Sequence, residues 1–128
     1  MILKNNLYKV ISADNDSRSF LLELIGDSTI YRAHFPGHPI TPGVCIIQMA
    51  AELLSSLLGE NLTLSSVTNA KFLNVIDPCI TKSLYFSFDK IAPAEDDSQI
   101  KAQIRVHNND IVFSKLSLSF LKSSPRWP

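Results

Sequence analysis

The sequence predicts an α+β domain in which an antiparallel β-sheet wraps around one long central α-helix. Residues 43–58 carry apolar side chains almost all round a helical period, which is typical of a helix buried on nearly every side. Six other segments are rich in β-branched and aromatic residues, and turn-forming residues separate several of them. Strands with one apolar face each bury such a helix most simply when their sheet curls around it.

The first two strands are predicted to form a hairpin. Leu7–Ala13 and Ser19–Ile25 have the composition of strands, and Asp14–Ser17 between them supplies side chains that favour a tight turn. Ser28–Arg32 follows as a short helical turn. The chain then enters a loop whose three prolines restrict its backbone before the long helix begins.

The central helix is predicted to run from Gly43 to Leu58. Gly59 is suited to end it, because glycine adopts the left-handed C-terminal conformation without steric cost. The polar positions of the helix form one narrow stripe, made of Gln48, Glu52, Ser55 and Ser56. Four more strands are predicted at residues 64–75, 81–90, 98–107 and 111–121. His107–Asp110 is typical of a tight turn, so the last two strands are expected to be antiparallel.

Composition limits the size and the partners of the protein. The 128 residues are 45% hydrophobic and 19% charged, which predicts a single domain over residues 1–122 followed by a tail at 123–128. Twelve basic and twelve acidic residues leave no formal net charge, which disfavours a nucleic-acid partner. No segment approaches the roughly 20 apolar residues of a membrane-spanning helix. We expect a cytoplasmic protein in which Cys45 and Cys79 stay reduced.

The run from Ala33 to Val44, AHFPGHPITPGV, is the most informative segment. It places His34 in a proline-braced loop just before a helix N-terminus, where unpaired N–H groups favour developing negative charge. A histidine titrates near neutral pH, so this arrangement suits proton abstraction beside a carbonyl. A metal pair of His34 and His38 would need a helix to align the two rings, and Pro36 and Pro39 disfavour one.

The same run resembles the signature of the hot-dog-fold β-hydroxyacyl-acyl-carrier-protein dehydratases of the FabZ and FabA type. The match is densest in His34–Ile40 and Pro42–Val44, and weaker similarity continues through Asn69–Phe72 and Val75–Pro78 to the last hairpin. The resemblance implies the sheet-around-helix fold and a dehydratase of fatty-acid or related polyketide or polyene biosynthesis. It also implies substrates held by acyl carrier protein or coenzyme A, no cofactor, and a homodimer, a heterodimer with a paralogue, or a higher oligomer.

The resemblance further implies roles for individual residues. His34 takes the place of the catalytic base, with its ring held by the carbonyl of Ile40, and Gly43 offers its backbone N–H to the thioester carbonyl. The acid of these enzymes lies on the central helix of the other subunit, at the position that Gln48 occupies here. In FabZ-type enzymes a glutamine one turn further supports that acid, and here the position holds Glu52. The implied substrate-binding positions are Ile40, Gly43 and Val44.

The acid of the reaction is therefore the open point, because a glutamine has no proton to give at neutral pH. Glu52 could supply the proton, or His34 could act as base and then as acid while Gln48 orients the hydroxyl. A paralogous partner could instead contribute a carboxylate in a heterodimer. Two other functions stay open: an acyl thioesterase with a water held by Gln48 or activated by Glu52, and a non-catalytic acyl-binding subunit of a heterodimeric dehydratase.

Three further groups of residues have both a functional and an ordinary interpretation. Cys45, in the first turn of the helix, is either a nucleophile with a lowered pKa or a small buried thiol. Basic residues on the strands either receive an acidic carrier protein or keep the sheet surface soluble; they are Lys71, Lys101, Arg105 and Lys115. Apolar residues that either line an acyl tunnel or belong to the core are Val67, Phe72, Leu73, Phe86 and Phe88.

Overall fold

The computed structural model describes residues 2–33, 37–93 and 98–122. Their elements are β1 (Tyr8–Asp14), β2 (Ser19–Leu24), α1 (Thr29–Ala33), α2 (Gly43–Leu58), β3 (Leu62–Phe72), β4 (Ser83–Pro93), β5 (Gln99–His107) and β6 (Val112–Lys122). The predicted bounds of the long helix are confirmed at both ends, and the strands differ from prediction by a few residues. His34, in the segment 34–36, and the predicted tail at 123–128 lie outside the described residues.

The six strands form one antiparallel sheet in the order β1-β2-β4-β5-β6-β3. β2 and β3 are consecutive strands of the chain but lie far apart in this order, so α2 connects two distant parts of the sheet. The third strand was predicted to reach Val75, and this is wrong. The N–H groups of Leu73 and Asn74 both donate to the carbonyl of Phe113, at 2.8 and 3.1 Å, so the regular ladder stops at Phe72.

The core lies between α2 and the inner face of the sheet. The buried residues of α2 are Ile46, Met49, Ala50, Ala51, Leu53 and Leu54. They belong to one hydrophobic cluster with the alternate residues of the strands. The alternate apolar residues of β4 and β5 are all buried; they are Leu84, Phe86, Phe88, Ile100, Ala102, Ile104 and Val106. Phe86 and Phe88 are therefore core residues. Each such side chain contributes about 1.5–3 kcal/mol by its burial.

α2 is limited at each end by a residue whose backbone conformation suits that position. Pro42 precedes it with φ −62°, and its carbonyl accepts hydrogen bonds from the N–H groups of Cys45 and Ile46. At the other end Gly59 has φ 66°, and its N–H donates to the carbonyl of Ser55. Among the described residues, no helix is both long enough and apolar enough to cross a membrane.

The left-handed Gly59 should be sensitive to any side chain. Gly59→Ala is expected to lower the free energy of unfolding by about 1 kcal/mol, because a Cβ disfavours positive φ even where the space around it is open. Gly26→Ala is the matched control, since Gly26 also has open space and no left-handed φ. Urea denaturation of both variants measures the difference; equal stabilities would contradict the conformational argument.

Candidate active site

The start of α2 is built around a close contact between Gly43 and Phe72. Gly43 is the first residue of the helix, so its N–H is one of the first-turn donors that have no acceptor within the helix. A Cβ on Gly43 would lie 2.8 Å from Cζ of Phe72, at the end of β3. Only glycine fits at this position while the phenyl ring stays in place. The ring itself is 49% exposed, so it forms part of the surface beside the helix N-terminus.

Thr41 anchors the loop that leads into α2. Its N–H donates to the carbonyl of Ile76 at 2.9 Å, and its side-chain oxygen lies 2.7 Å from the phenol oxygen of Tyr31 in a buried hydrogen bond. Burial raises the pKa of Tyr31 to about 12, so this phenol keeps its proton at physiological pH. Tyr31 belongs to α1, and the hydrogen bond therefore joins this short helix to the residue just before Pro42 and α2. The two hydrogen bonds of Thr41 therefore fix the end of the loop relative to α2.

Two other residues of the motif lie on either side of this anchor. Ile40 is partly buried, whereas Val44, in the first turn of α2, is 73% exposed. His38 is exposed in the turn that follows Gly37, whose φ is 85°. His34 lies outside the described residues, so its proposed contact with the Ile40 carbonyl stays a prediction.

The polar stripe of α2 holds a carboxylate that accepts four hydrogen bonds. Oε2 of Glu52 accepts from the N–H of Leu3 at 2.8 Å and from Nε2 of Gln48 at 2.9 Å. Oε1 accepts from the N–H of Lys4 and from the phenol of Tyr8, both at 2.9 Å. An ionised carboxylate has about four lone-pair positions. Glu52 thus acts as an acceptor in every one of these contacts.

Tyr8 is the fully buried member of this group, with no exposed surface. Burial raises its pKa far above the usual range, and the hydrogen bond and the negative charge of Glu52 raise it further. The phenol therefore remains protonated and donates. Gln48 and Glu52 also line a groove of about 520 Å³, together with Lys4, Leu62 and Leu64 among others. Hydrogen bonds to the protein therefore hold Gln48 and Glu52 in place, and the groove leaves the two side chains accessible.

The structure brings together only some of the predicted site residues. Gln48 and Glu52 are in direct contact, and Gly43 starts the same helix, about 7–8 Å from Gln48 along its axis at the usual rise per residue. Tyr8 and the backbone donors before it were not predicted from the sequence. No local pattern could have revealed them, because 44 to 49 residues separate them from Glu52.

Of the two interpretations of Cys45, the small buried thiol agrees with the structure and the nucleophile with a lowered pKa does not. Burial raises the pKa of its thiol, and this effect outweighs its place in the first helical turn. Cys45 packs against the core as a partly buried side chain. Cys45 and Cys79 are both free thiols. Within residues 2–33, 37–93 and 98–122, no group of three or more histidine, cysteine, aspartate and glutamate side chains has the geometry of a metal site.

Basic side chains form a row across the outer face of the sheet. Lys71, Lys115 and Arg105 are register neighbours on β3, β6 and β5. Asp89 pairs with Arg105 at 3.1 Å and is the single acidic residue on β3 to β6, which carry six basic ones. The row lines a groove of about 440 Å³. Lys101 lies elsewhere on β5, opposite Ser119.

Comparison with known proteins gives one family and several related folds. The sequence profile of the ApeI-like family, described as ApeI dehydratase, matches residues 10–115. The 3-hydroxyacyl-[acyl-carrier-protein] dehydratase FabZ of Fusobacterium nucleatum is 32% identical over 96 residues, which cover 71% of this chain and 65% of that protein. The match therefore spans slightly less than two thirds of this relative.

Two solved structures illustrate the likeness in fold. The dehydratase heterocomplex ApeI:P from Xenorhabdus doucetiae has a TM-score of 0.57 at 21% identity, covering 89% of this chain and 93% of that one. A thioesterase from Haemophilus influenzae has a TM-score of 0.64 at 12% identity, covering 94% and 81% respectively. Together with the antiparallel sheet and its central helix, these likenesses confirm the predicted hot-dog fold.

The contact between Gly43 and Phe72 can be tested by a double-mutant cycle. Gly43→Ala should displace the Phe72 ring and destabilise the protein, whereas in a Phe72→Ala background the same change should be neutral or stabilising by up to about 1 kcal/mol, because alanine is the better helix former. Chemical denaturation of the four proteins gives the coupling energy. Additive effects would show that the two residues do not restrict each other.

Proposed function

Because the chain belongs to the ApeI-like dehydratase family, we propose that it removes water from a 3-hydroxyacyl thioester. The observation that carries the proposal is the arrangement on α2. The helix begins at Gly43, where a Cβ would lie 2.8 Å from the ring of Phe72, and a little more than one turn later it presents Gln48 in an orientation set by Glu52. In a site shared by two chains, the α2 helix of one chain offers the oxyanion donor and the α2 helix of the partner offers the group that orients the hydroxyl.

The reaction requires one base, one donor to the enolate and one acid. His34 removes the α-proton, and the electrons of that C–H bond form the Cα=Cβ double bond as the β-carbon–oxygen bond breaks. The N–H of Gly43 stabilises the negative charge that develops on the thioester oxygen, an effect worth about 3 kcal/mol for a single donor in a site closed to water. The departing hydroxide takes a proton and leaves as water, and the product is a 2-enoyl thioester.

His34 also supplies this proton in our proposal. A glutamine side chain donates only N–H hydrogen bonds and releases no proton. Glu52 accepts hydrogen bonds from four donors of the protein, so it is arranged as an acceptor and not as a proton donor. The imidazolium that forms when His34 takes the α-proton can return that proton to the hydroxide, while Gln48 orients the leaving hydroxyl.

We propose that a second chain completes the site, as a copy of this chain or a paralogue. β3 is an edge strand of the sheet, and exposed apolar side chains lie along it and just beyond it. Val67, Phe72, Leu73 and Val75 are 42, 49, 52 and 62% exposed. An apolar edge of this kind is a surface that proteins normally cover. The ApeI:P complex is a heterocomplex, which supports a paralogue as one form of the partner.

The basic row suggests how an acidic carrier protein would deliver the substrate. Like charges opposite each other in a sheet cost stability, so Lys71 and Lys115 do not serve the fold. Lys71 precedes Phe72, whose ring lies against Gly43. Successive residues of a strand point to opposite faces, so a carrier bound to the row would lie across the edge strand β3 from the start of α2, and its thioester would reach that site around this edge. The name of the Fusobacterium nucleatum relative, which specifies substrates on acyl carrier protein, supports this partner.

Thioester hydrolysis is the second candidate, because the fold is also that of a thioesterase. It would require Glu52 to activate a water molecule. The carboxylate is already engaged by four donors of the protein, which favours dehydration. The two reactions have different products, so a single assay separates them.

The assay follows a carrier-bound 3-hydroxyacyl thioester by mass spectrometry. We expect loss of water with the purified protein and a fall of about 10²- to 10⁴-fold in His34→Ala. Gln48→Glu should raise the rate, because a new carboxylate beside Glu52 has its pKa raised by the like charge and can donate a proton near neutral pH. Gln99→Glu, the same change at the start of β5 and outside the groove of the basic row, is the control and should have no effect.

Three results would contradict this proposal. Release of the free acid would identify a thioesterase, and unchanged substrate would identify a non-catalytic subunit that needs another chain. Full dehydratase activity in a species that sediments as a stable monomer would exclude the shared site.

The docking surface has its own test, which compares two substrates. Lys71→Glu combined with Lys115→Glu should raise KM for the carrier-bound substrate by about 10-fold at low salt and less at high salt. KM for the same acyl group on coenzyme A should stay unchanged. Lys9→Glu combined with Lys82→Glu, which makes the same change in net charge away from the row, is the control. Equal effects of both pairs would mean that only net charge matters.

A further inference from the structure

The four donors to Glu52 come from distant parts of the chain. Leu3 and Lys4 contribute backbone N–H groups from the segment before β1, and Tyr8 contributes its phenol from the start of that strand. Gln48 contributes its amide from one turn earlier on α2. The N-terminal segment is therefore in direct contact with the polar stripe of the central helix.

The geometry couples these donors to one another through the carboxylate. Tyr8 and Lys4 bind Oε1, while Gln48 binds Oε2. Both oxygens belong to one planar group, so a constraint on the first oxygen sets the position of the second. A buried phenol has few alternative partners, and Tyr8 has no exposed surface. Tyr8 thus limits the positions from which Glu52 can accept the hydrogen bond of Gln48.

We propose that Tyr8 is a positioning residue for Gln48, acting through Glu52 together with the N–H groups of Leu3 and Lys4. The proposal rests on the proposed function only in giving Gln48 a task at the reacting hydroxyl. A carboxylate accepts and does not donate, so it binds the nitrogen end of the Gln48 amide. The oxygen end of the amide is then directed away from Glu52. The donors of residues 3–8 thus decide which end of the Gln48 amide is left to point away from Glu52.

The same coupling gives a physical reason for the residue types at positions 48 and 52. Three donors of the N-terminal segment and β1 require an acceptor at position 52, and a glutamine there would offer one oxygen and present its NH₂ group to donors. Once position 52 holds a carboxylate, a second carboxylate at position 48 would be repelled, whereas an amide can donate. Glu52 and Gln48 therefore suit each other as a pair.

The test is an NMR measurement on the side-chain amide of Gln48 in the full chain labelled with ¹⁵N. The resonance pair is assigned by its disappearance in Gln48→Met. Tyr8→Phe removes only the hydroxyl that binds Glu52, and we expect the Gln48 pair to move while most of the backbone spectrum is retained. Tyr31→Phe is the matched control, because Tyr31 is also buried and its phenol bonds to Thr41 instead. The control should leave the Gln48 pair in place.

Activity supplies the second readout. With the carrier-bound substrate, kcat of Tyr8→Phe should fall by about 10-fold with KM changed less than about twofold, since an orienting contact is lost and not a binding one. If Tyr8→Phe does not fold, Glu52→Gln, which has nearly the same size, should move the same Gln48 resonances. Unmoved resonances in a folded variant, or an unchanged kcat when they move, would overturn the positioning role.

The outcomes separate this inference from the proposed function. If the wild-type protein does not dehydrate its substrate but the Gln48 resonances move in Tyr8→Phe, the coupling is supported and the dehydratase proposal fails. If the wild-type protein dehydrates and the Gln48 resonances stay in place, the dehydratase is supported and the coupling is overturned.

Discussion

The burial of one almost wholly apolar helix is the constraint from which the other features of this protein follow. α2 exposes too little polar surface to lie at the outside of a small domain, and the sheet therefore covers it with alternate residues of its strands. The only polar stripe of the helix must then face away from the core. Gln48 and Glu52 lie in that stripe and line a groove. The packing of the core thus determines where polar chemistry is available on the helix.

The hydrogen bonds of Glu52 determine how the polar groups at this site are arranged. A partly buried carboxylate is costly unless it is fully hydrogen-bonded, and Glu52 is satisfied by donors from the N-terminal segment, β1 and its own helix. By holding the carboxylate, the segment before β1 becomes part of the candidate site. The hydrogen bonds that stabilise the fold at this point are therefore also the ones that hold the candidate site.

The sequence predicted the local features of this fold well and the long-range ones poorly. The bounds of α2 could be predicted because Gly59 at its end and the period of its apolar residues are local signals. The end of β3 could not, since it depends on two N–H groups that converge on Phe113. The pKa of Cys45 stayed open between two interpretations for a related reason, because burial depends on neighbours from the whole core.

The sequence by itself determined the fold class, the helix that carries the site, and the motif that contains His34 and Gly43. These follow from periodicity, turn chemistry and a contiguous signature, which are all properties of neighbouring residues. Only the tertiary structure decided that Phe72 restricts position 43 and that Tyr8 holds Glu52. Those contacts join residues far apart in the chain, and their existence depends on the curvature and register of the sheet, which no single segment encodes.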